Sequence, residues 1–374
     1  MQDQGAPDYG WPVSPLRLLV FVCTGTLCFL ATSLAAQQDP GAGEPETGCL
    51  SGDCANGRGN FVFPNGNRYD GDWKAGTFDG NGTLTLVGNG TYAGQFQSGR
   101  MHGRGVRTWA DGTRYDGQWQ NGQMHGQGEL RFRDGSRYRG GFHEGHFHGR
   151  GEAVRRGAVY RADWRNGRAV GQISIRYRDG SSYSGQQRNY QPHGDGRLRY
   201  SNGNSYEGQF RSGQLSGRGV YVWQDGARCE CQFAAGRING EGTLQLADGT
   251  RYKGGLRQGR FHGEGELVVP EKFVYEGGFE DGKYSGSGYL RYENGVEYRG
   301  GFLAGQPHGQ GRYLFASGSV YEGEFRSGRF NGQGRMTTAT GQVMEGRYQD
   351  GRLVEPRPAN NTQNTQNQNP QTGR

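Results

Sequence analysis

The chain has 374 residues, 73 of them glycine and 12 proline, while hydrophobic residues make up only 32%. That share lies well below the roughly 45–50% of an ordinary domain and excludes an α/β enzyme with a thick aliphatic core. Aromatic residues at 12% exclude plain disorder, and the net charge of +7 comes from cations and acids interleaved without a long run of either sign.

The first element is an apolar stretch over residues 16–36, LRLLVFVCTGTLCFLATSLAA, with Arg17 leading it and Asp39, Glu44 and Glu46 behind it. A basic flank, an apolar run and a small-residue exit at Ser33-Leu34-Ala35 predict a hydrophobic helix acting as a secretory signal. Its 21 residues also come close to spanning a bilayer, which predicts a signal-anchor instead. Both readings place the following chain outside the cytoplasm, in a periplasmic or extracellular location, free or anchored. Residues 37–48 then read as a linker.

From Tyr69 one unit recurs, starting at 69, 92, 115, 138, 160, 183, 206, 229, 252, 275, 298, 321 and 344. Every interval is 23 residues except that from 138 to 160, which is 22. The copy from Tyr115 reads YDGQWQNGQMHGQGELRFRDGSR. Position 1 is mostly Tyr and position 5 mostly aromatic. The pairs are Tyr69 with Trp73, Tyr92 with Phe96, Tyr115 with Trp119, and Tyr138 with Phe142. They continue with Tyr206 and Phe210, Tyr275 and Phe279, Tyr298 and Phe302, and Tyr321 and Phe325.

Alternation with period 2 puts both rings and the Gly at position 3 on one face of a strand. Intervening residues such as Asp116 and Gln118 then face water, and Gln118→Ala is expected to change little. Turns at position 8 (Asn121-Gly122) and at Asp134-Gly135 make each unit a β-hairpin. The fold class is therefore all-β: an elongated single-sheet meander of about 26 strands, with a contour near ~125 Å at roughly 4.8 Å per strand. Glycine on the aromatic face lets a ring from elsewhere lie over bare backbone, so the apolar face is expected to curl into a groove lined by the paired rings.

The half-unit Tyr-[Glu/Asp]-Gly-x-[Trp/Phe]-x-x-Gly-x-x-His-Gly-x-Gly, nearly intact in residues 115–128 and 321–334, resembles the MORN (membrane occupation and recognition nexus) repeat. The likeness covers residues 69–356 as thirteen tandem copies, the last one partial. It implies a twisted β-sheet rod and a role as scaffold, self-association module or junction element, with lipid binding proposed for some members.

Several segments depart from the repeat. Residues 49–68 fit the second half of a unit, with Gly57, Gly59, Phe61 and Phe63 in register, and read as a capping half-repeat. Cys49 and Cys54 in it could close a small disulfide loop if the chain is exported. The copy at Tyr160 carries Ala162 and Ile173 in place of glycines, so a bend or irregular sheet is expected near residues 152–175. The copy at 229 has Cys229 and Cys231 for Tyr and Gly, both expected on the aromatic face. Residues 357–374 are rich in Asn and Gln and read as a disordered tail.

Six histidines, His102, His125, His148, His193, His262 and His308, sit at position 11. Equivalent positions lie two strands apart, roughly 9–10 Å, too far to share one ion. A turn residue bonding backbone is the expected role, although the group His143, Glu144, His146 and His148 is dense enough to catch a metal adventitiously. No nucleophile with a base, paired-carboxylate site or phosphate loop stands out, so no catalytic, metal or cofactor site is assigned and the chain is not expected to be an enzyme. Three readings remain: a scaffold binding a protein partner or its own copies, end to end through the last copies around Tyr321–Tyr348; a peripheral binder of anionic phospholipid; and a glycan or cell-wall binder using the aromatic groove. Nucleic acid is not expected, because the charge is diluted over the chain.

Overall fold

A computed structural model describes residues 46–357. The expected N-terminal helix, most of the linker and all but the first residue of the Asn/Gln-rich tail lie outside these residues. The described residues are built from strands, turns and bends, and they contain no helix long and apolar enough to cross a membrane. There are 28 strands, two more than thirteen hairpins supply, because the half-repeat ahead of Tyr69 itself forms a pair of strands.

The chain divides into two compact units, one ending at Gln214 and the other starting at Leu215. Strands β1 (Gly48–Gly52) to β15 (Ser205–Arg211) belong to the first, and β16 (Gln214–Val222), all but its first residue, to β28 (Arg352–Pro356) belong to the second. Within each unit every strand pairs antiparallel with its successor, so each is an open meander.

One hairpin shows the local rules. Strand β7 (Arg114–Gln120) pairs with β8 (Gln123–Arg131) as Gln120↔Gln123, Trp119↔Met124 and Tyr115↔Leu130. Asn121 and Gly122 turn the chain at φ 50° and 81°, the two left-handed residues of a type I′ turn. Position 7 is left-handed in all thirteen copies, even where it is Ala75, Glu144, Gln258 or Ala304. The alternate connection differs: Trp109 N–H donates to Thr113 O and Gly112 N–H to Trp109 O, while Thr113 N–H is also taken by the Asp111 carboxylate.

A bulge interrupts each hairpin after position 3, as between Gly117 and Gln118. Position 12, Gly in every copy but the last, supplies its positive φ, for example 59° at Gly126 and 73° at Gly309. The expected irregularity near 152–175 does not occur. Strand β11 (Ala158–Arg165) pairs in full with β10 (His146–Arg155) and carries the same bulge as other copies, between Ala162 and Asp163. The missing residue is absorbed by the connection, where Arg156 (φ 48°) and Gly157 (φ 81°) replace the longer Asp-Gly loop.

Candidate functional site

The aromatic face is the core. Each of the sixteen paired rings is at most 8% exposed, and Tyr69, Tyr92, Tyr115, Tyr275 and Tyr321 are at 0%. The rings expected to line an open groove are therefore covered, which corrects the picture of a docking channel along them. Position 10 does much of the covering. Phe78 stacks on Tyr69 with centroids 3.8 Å apart, Phe147 on Tyr138 at 3.7 Å, and Phe330 on Tyr321 at 3.9 Å. Sequence reasoning passed over this position, although it is apolar in every copy.

On its other side each of these tyrosines except Tyr160 lies over two glycines of its own hairpin. A Cβ on Gly117 would sit 2.5 Å from the Tyr115 hydroxyl, and one on Gly128 2.6 Å from its Cζ. The hydroxyl then donates to the carbonyl of position 4, from Tyr115 to Gln118 O at 2.9 Å and from Tyr298 to Gly301 O at 2.8 Å. That carbonyl lies at the bulge, so the tyrosine satisfies a group the ladder leaves out. Burial pushes the phenols up, to about 12 for Tyr69, Tyr183 and Tyr298. Edge-to-face contacts carry the stack onward, as Tyr115 meets Trp119 at 5.1 Å and Phe142 of the next copy at 4.9 Å. The Trp119 indole N–H donates to Gly105 O of the preceding copy at 3.0 Å.

The copy at Tyr160 shows what the glycines do. With Ala162 and Ile173 beneath it, Tyr160 is 8% exposed, more than the position-1 tyrosines of the other copies. In the copy at 229, Cys229 and Cys231 face the core at 0% and 3% exposure and are disulfide-bonded, with Cα atoms 5.4 Å apart. Cys231 Sγ covers Gly242 as tyrosine does elsewhere. Cys49 and Cys54 are also disulfide-bonded, with Cα atoms 6.0 Å apart, beside β1.

On the outer face position 4 is not idle. The Gln118 side-chain oxygen accepts from Gln127 N–H at 2.7 Å, and Gln95 and Gln186 repeat the contact with Arg104 and Asp195. The expectation that Gln118 is a free surface residue is thereby corrected. Position 11 links neighbouring copies: Asn56, Asp79 and His193 each accept the N–H of position 7 in the next unit, Ala75, Ser98 and Ser212. For His193 this is the backbone-bonding role expected of the histidines. His143 lies 5.1 Å from His125 and 5.3 Å from His148 between ring centroids. No group of three metal-ligating side chains in position to hold an ion occurs among the described residues. A shallow hollow of about 560 Å³ on this face is lined by Gln127, Arg139, Arg150, Glu152, Arg161 and Asp163.

The two terminal strands bear on end-to-end pairing. β1 and β28 each span five residues and each meets its partner through a bulge, and β28 ends at Pro356 with Arg352 and Glu355 exposed. Short, bulged edges resist the addition of another strand, and on β28 the charges and the proline add to that.

Tandem β-hairpins, most of them burying a tyrosine over their own glycines and some bonding the next through positions 7 and 11, define a β-repeat protein of the open-sheet kind. The MORN repeat model matches twelve segments between residues 48 and 343, and the chain belongs to that family. The copy at Tyr160 falls in the longest unmatched interval, 155–182, although it keeps the hairpin. Family members generally take part in protein–protein or membrane–lipid interactions. No curated protein matches the chain. Among solved structures, similarity extends to the Drosophila melanogaster SAS-4 TCP domain in complex with a proline-rich motif of Ana2. Identity is 14% and the TM-score 0.23, over 53% of this chain and 96% of that one. A streptogramin B lyase is 12% identical with a TM-score of 0.13, over 66% and 83%.

Proposed function

We propose that the chain is a non-catalytic repeat scaffold, exported or membrane-anchored, whose outer face binds a protein partner. The observation that supports this reading is the difference between the two faces of every hairpin. The aromatic side chains are covered and form the core, while outward positions such as Asp116, Arg139 and Glu207 remain exposed on the opposite face. Rigid, evenly spaced strands that hold varied polar side chains suit recognition of an extended surface. The blunted terminal strands favour faces over ends as the contact, so a heterologous partner takes precedence over end-to-end copies. Export is supported by the order of Arg17, the apolar run and the acids that follow it.

The test is crosslinking of the full chain in cells, followed by sedimentation of the purified chain with each captured protein. A complex of fixed stoichiometry is the expected result. A chain that sediments separately from all of them would overturn the reading. A monomer at every concentration would remove its own copy from the candidates.

A further inference from the structure

The charge of the molecule is concentrated in one stretch. Residues 137–211 contain fourteen arginines, no lysine and six carboxylates, a net +8 against +7 for the whole chain. Alternation around the buried Tyr138, Phe147, Trp164, Ile173, Tyr183 and Tyr206 sends eleven of these arginines to the outer face of β9 (Arg137–His143) through β15, together with four carboxylates. The even distribution expected from the whole sequence does not hold here.

The arginines on that face are of two kinds. In the middle of the strands they are paired: Arg161 with Glu152 at 2.8 Å, Arg150 with Asp163 at 4.0 Å, and Arg197 with Glu207. Along the rim formed by the position-8 turns they are not. Arg165, Arg168, Arg188 and Arg211 are all exposed, and none forms an ion pair among the described residues. Arg165 and Arg168 stand directly opposite each other across the β11–β12 ladder, where β12 spans Arg168–Arg176. Like charges in that relation weaken a sheet. The rim holds a further irregularity: Tyr190 occupies position 8, where every other copy has Gly, at φ 66°. Its ring folds back, with centroids 5.9 Å apart, toward Trp164, and its hydroxyl donates to Gly167 O at 3.4 Å.

We infer that this rim docks an acidic polypeptide segment, whose carboxylates take the four guanidinium groups in succession. The inference rests on the scaffold reading and names the surface and the partner's chemistry. Guanidinium forks match carboxylates bidentately, and four of the five strands from β11 to β15 offer one along this rim. A polypeptide can follow the rim alone. A lipid surface would approach the whole face and press Glu152, Asp163, Asp195 and Glu207 against anionic headgroups. Of the exposed large apolar side chains among the described residues, only Val170 lies in 137–211, so little is available to enter a bilayer. No exposed aromatic platform for stacking bases accompanies the arginines.

The test compares the full chain with two variants of equal charge change. One is Arg165→Gln, Arg168→Gln, Arg188→Gln and Arg211→Gln together; the other is Arg100→Gln, Arg237→Gln, Arg260→Gln and Lys283→Gln. Probes are a fluorescent oligo-glutamate peptide and vesicles of phosphatidylserine in phosphatidylcholine, each at low and physiological salt. The rim variant should lose about thirtyfold in peptide affinity, as four exposed ion pairs acting together would give. The control should stay within about twofold, apart from long-range attraction screened by salt. The rim variant should melt no lower than the parent, since its like-charge pair is gone. Equal losses in both variants, or vesicle binding in place of peptide binding, would overturn the inference. If a partner captured in cells still binds the rim variant, the scaffold reading stands and only the rim assignment fails.

Discussion

Gly128→Ala isolates the contact on which the core depends. Gly128 does not need a left-handed backbone, so the substitution tests space alone; the new Cβ would lie 2.5 Å from Tyr115 Cε2 and 2.6 Å from Cζ. The ring cannot retreat, because Tyr115 is 0% exposed and held edge-on by Trp119 and Phe142. Either the strands part or the ring swings outward, as Tyr160 has partly done over Ala162 and Ile173. The outward route gives up the hydroxyl bond to Gln118 O, about 1 kcal/mol, and roughly half of an aromatic burial, about 2 kcal/mol. The expected loss is about 3 kcal/mol, read as a lower urea midpoint with an unchanged slope. The decisive measurement is a cycle with Tyr115→Leu, whose shorter side chain clears the Cβ, so that Gly128→Ala then costs under about 1 kcal/mol. An equal cost in both backgrounds would show that the ring is not the reason for the glycine.

Trp119→Ala should cost about 3–5 kcal/mol by urea unfolding, and Gln118→Ala about 1 kcal/mol through the lost acceptor for Gln127 N–H; a neutral Gln118→Ala would refute the position-4 role. Ala304→Gly, at an exposed position-7 turn with φ 53°, should raise stability by about 1 kcal/mol, and a loss would mean that the left-handed turn is not populated in solution. The buried tyrosines also predict alkaline unfolding. Their folded pKa values lie above the unfolded value near 10, so stability is full below about pH 10 and falls as pH rises toward 12. Circular dichroism that stays native through pH 12 would contradict that order. A reporter active only in the cytoplasm, fused after Arg374, should be silent; strong activity would place the repeats inside.

The period, the strand pattern and the inward face were legible because each repeats thirteen times with a chemical reason attached. Tyr at position 1 and Gly at position 3 announce a ring over bare backbone from sequence alone. What escaped notice lacks a distinctive residue type. Position 7 is left-handed whether it is Asn121 or Ala304, since the turn is imposed by the ladder and the following residue rather than by preference. Position 10 reads as unremarkable apolar filling until Phe78 is seen face to face with Tyr69. Gln118 carries no mark that separates a water-facing amide from one that closes a bulge. The rim arginines were hidden by averaging, because a balanced remainder masks one basic stretch in a total of +7.

The junction between copies, alike wherever position 8 is Gly, has a consequence for heredity. Position-8 N–H bonds the position-10 carbonyl of the preceding copy in the same way at Gly122 and Met101 as at Gly328 and Pro307. A gene segment coding for one hairpin can therefore be duplicated or lost by unequal recombination without creating a new kind of seam. The buried half of each copy must stay alike for the seams to match, whereas the outward half can diverge freely from its siblings. Selection can then adjust the length of the array and the chemistry of its surface as two nearly independent traits.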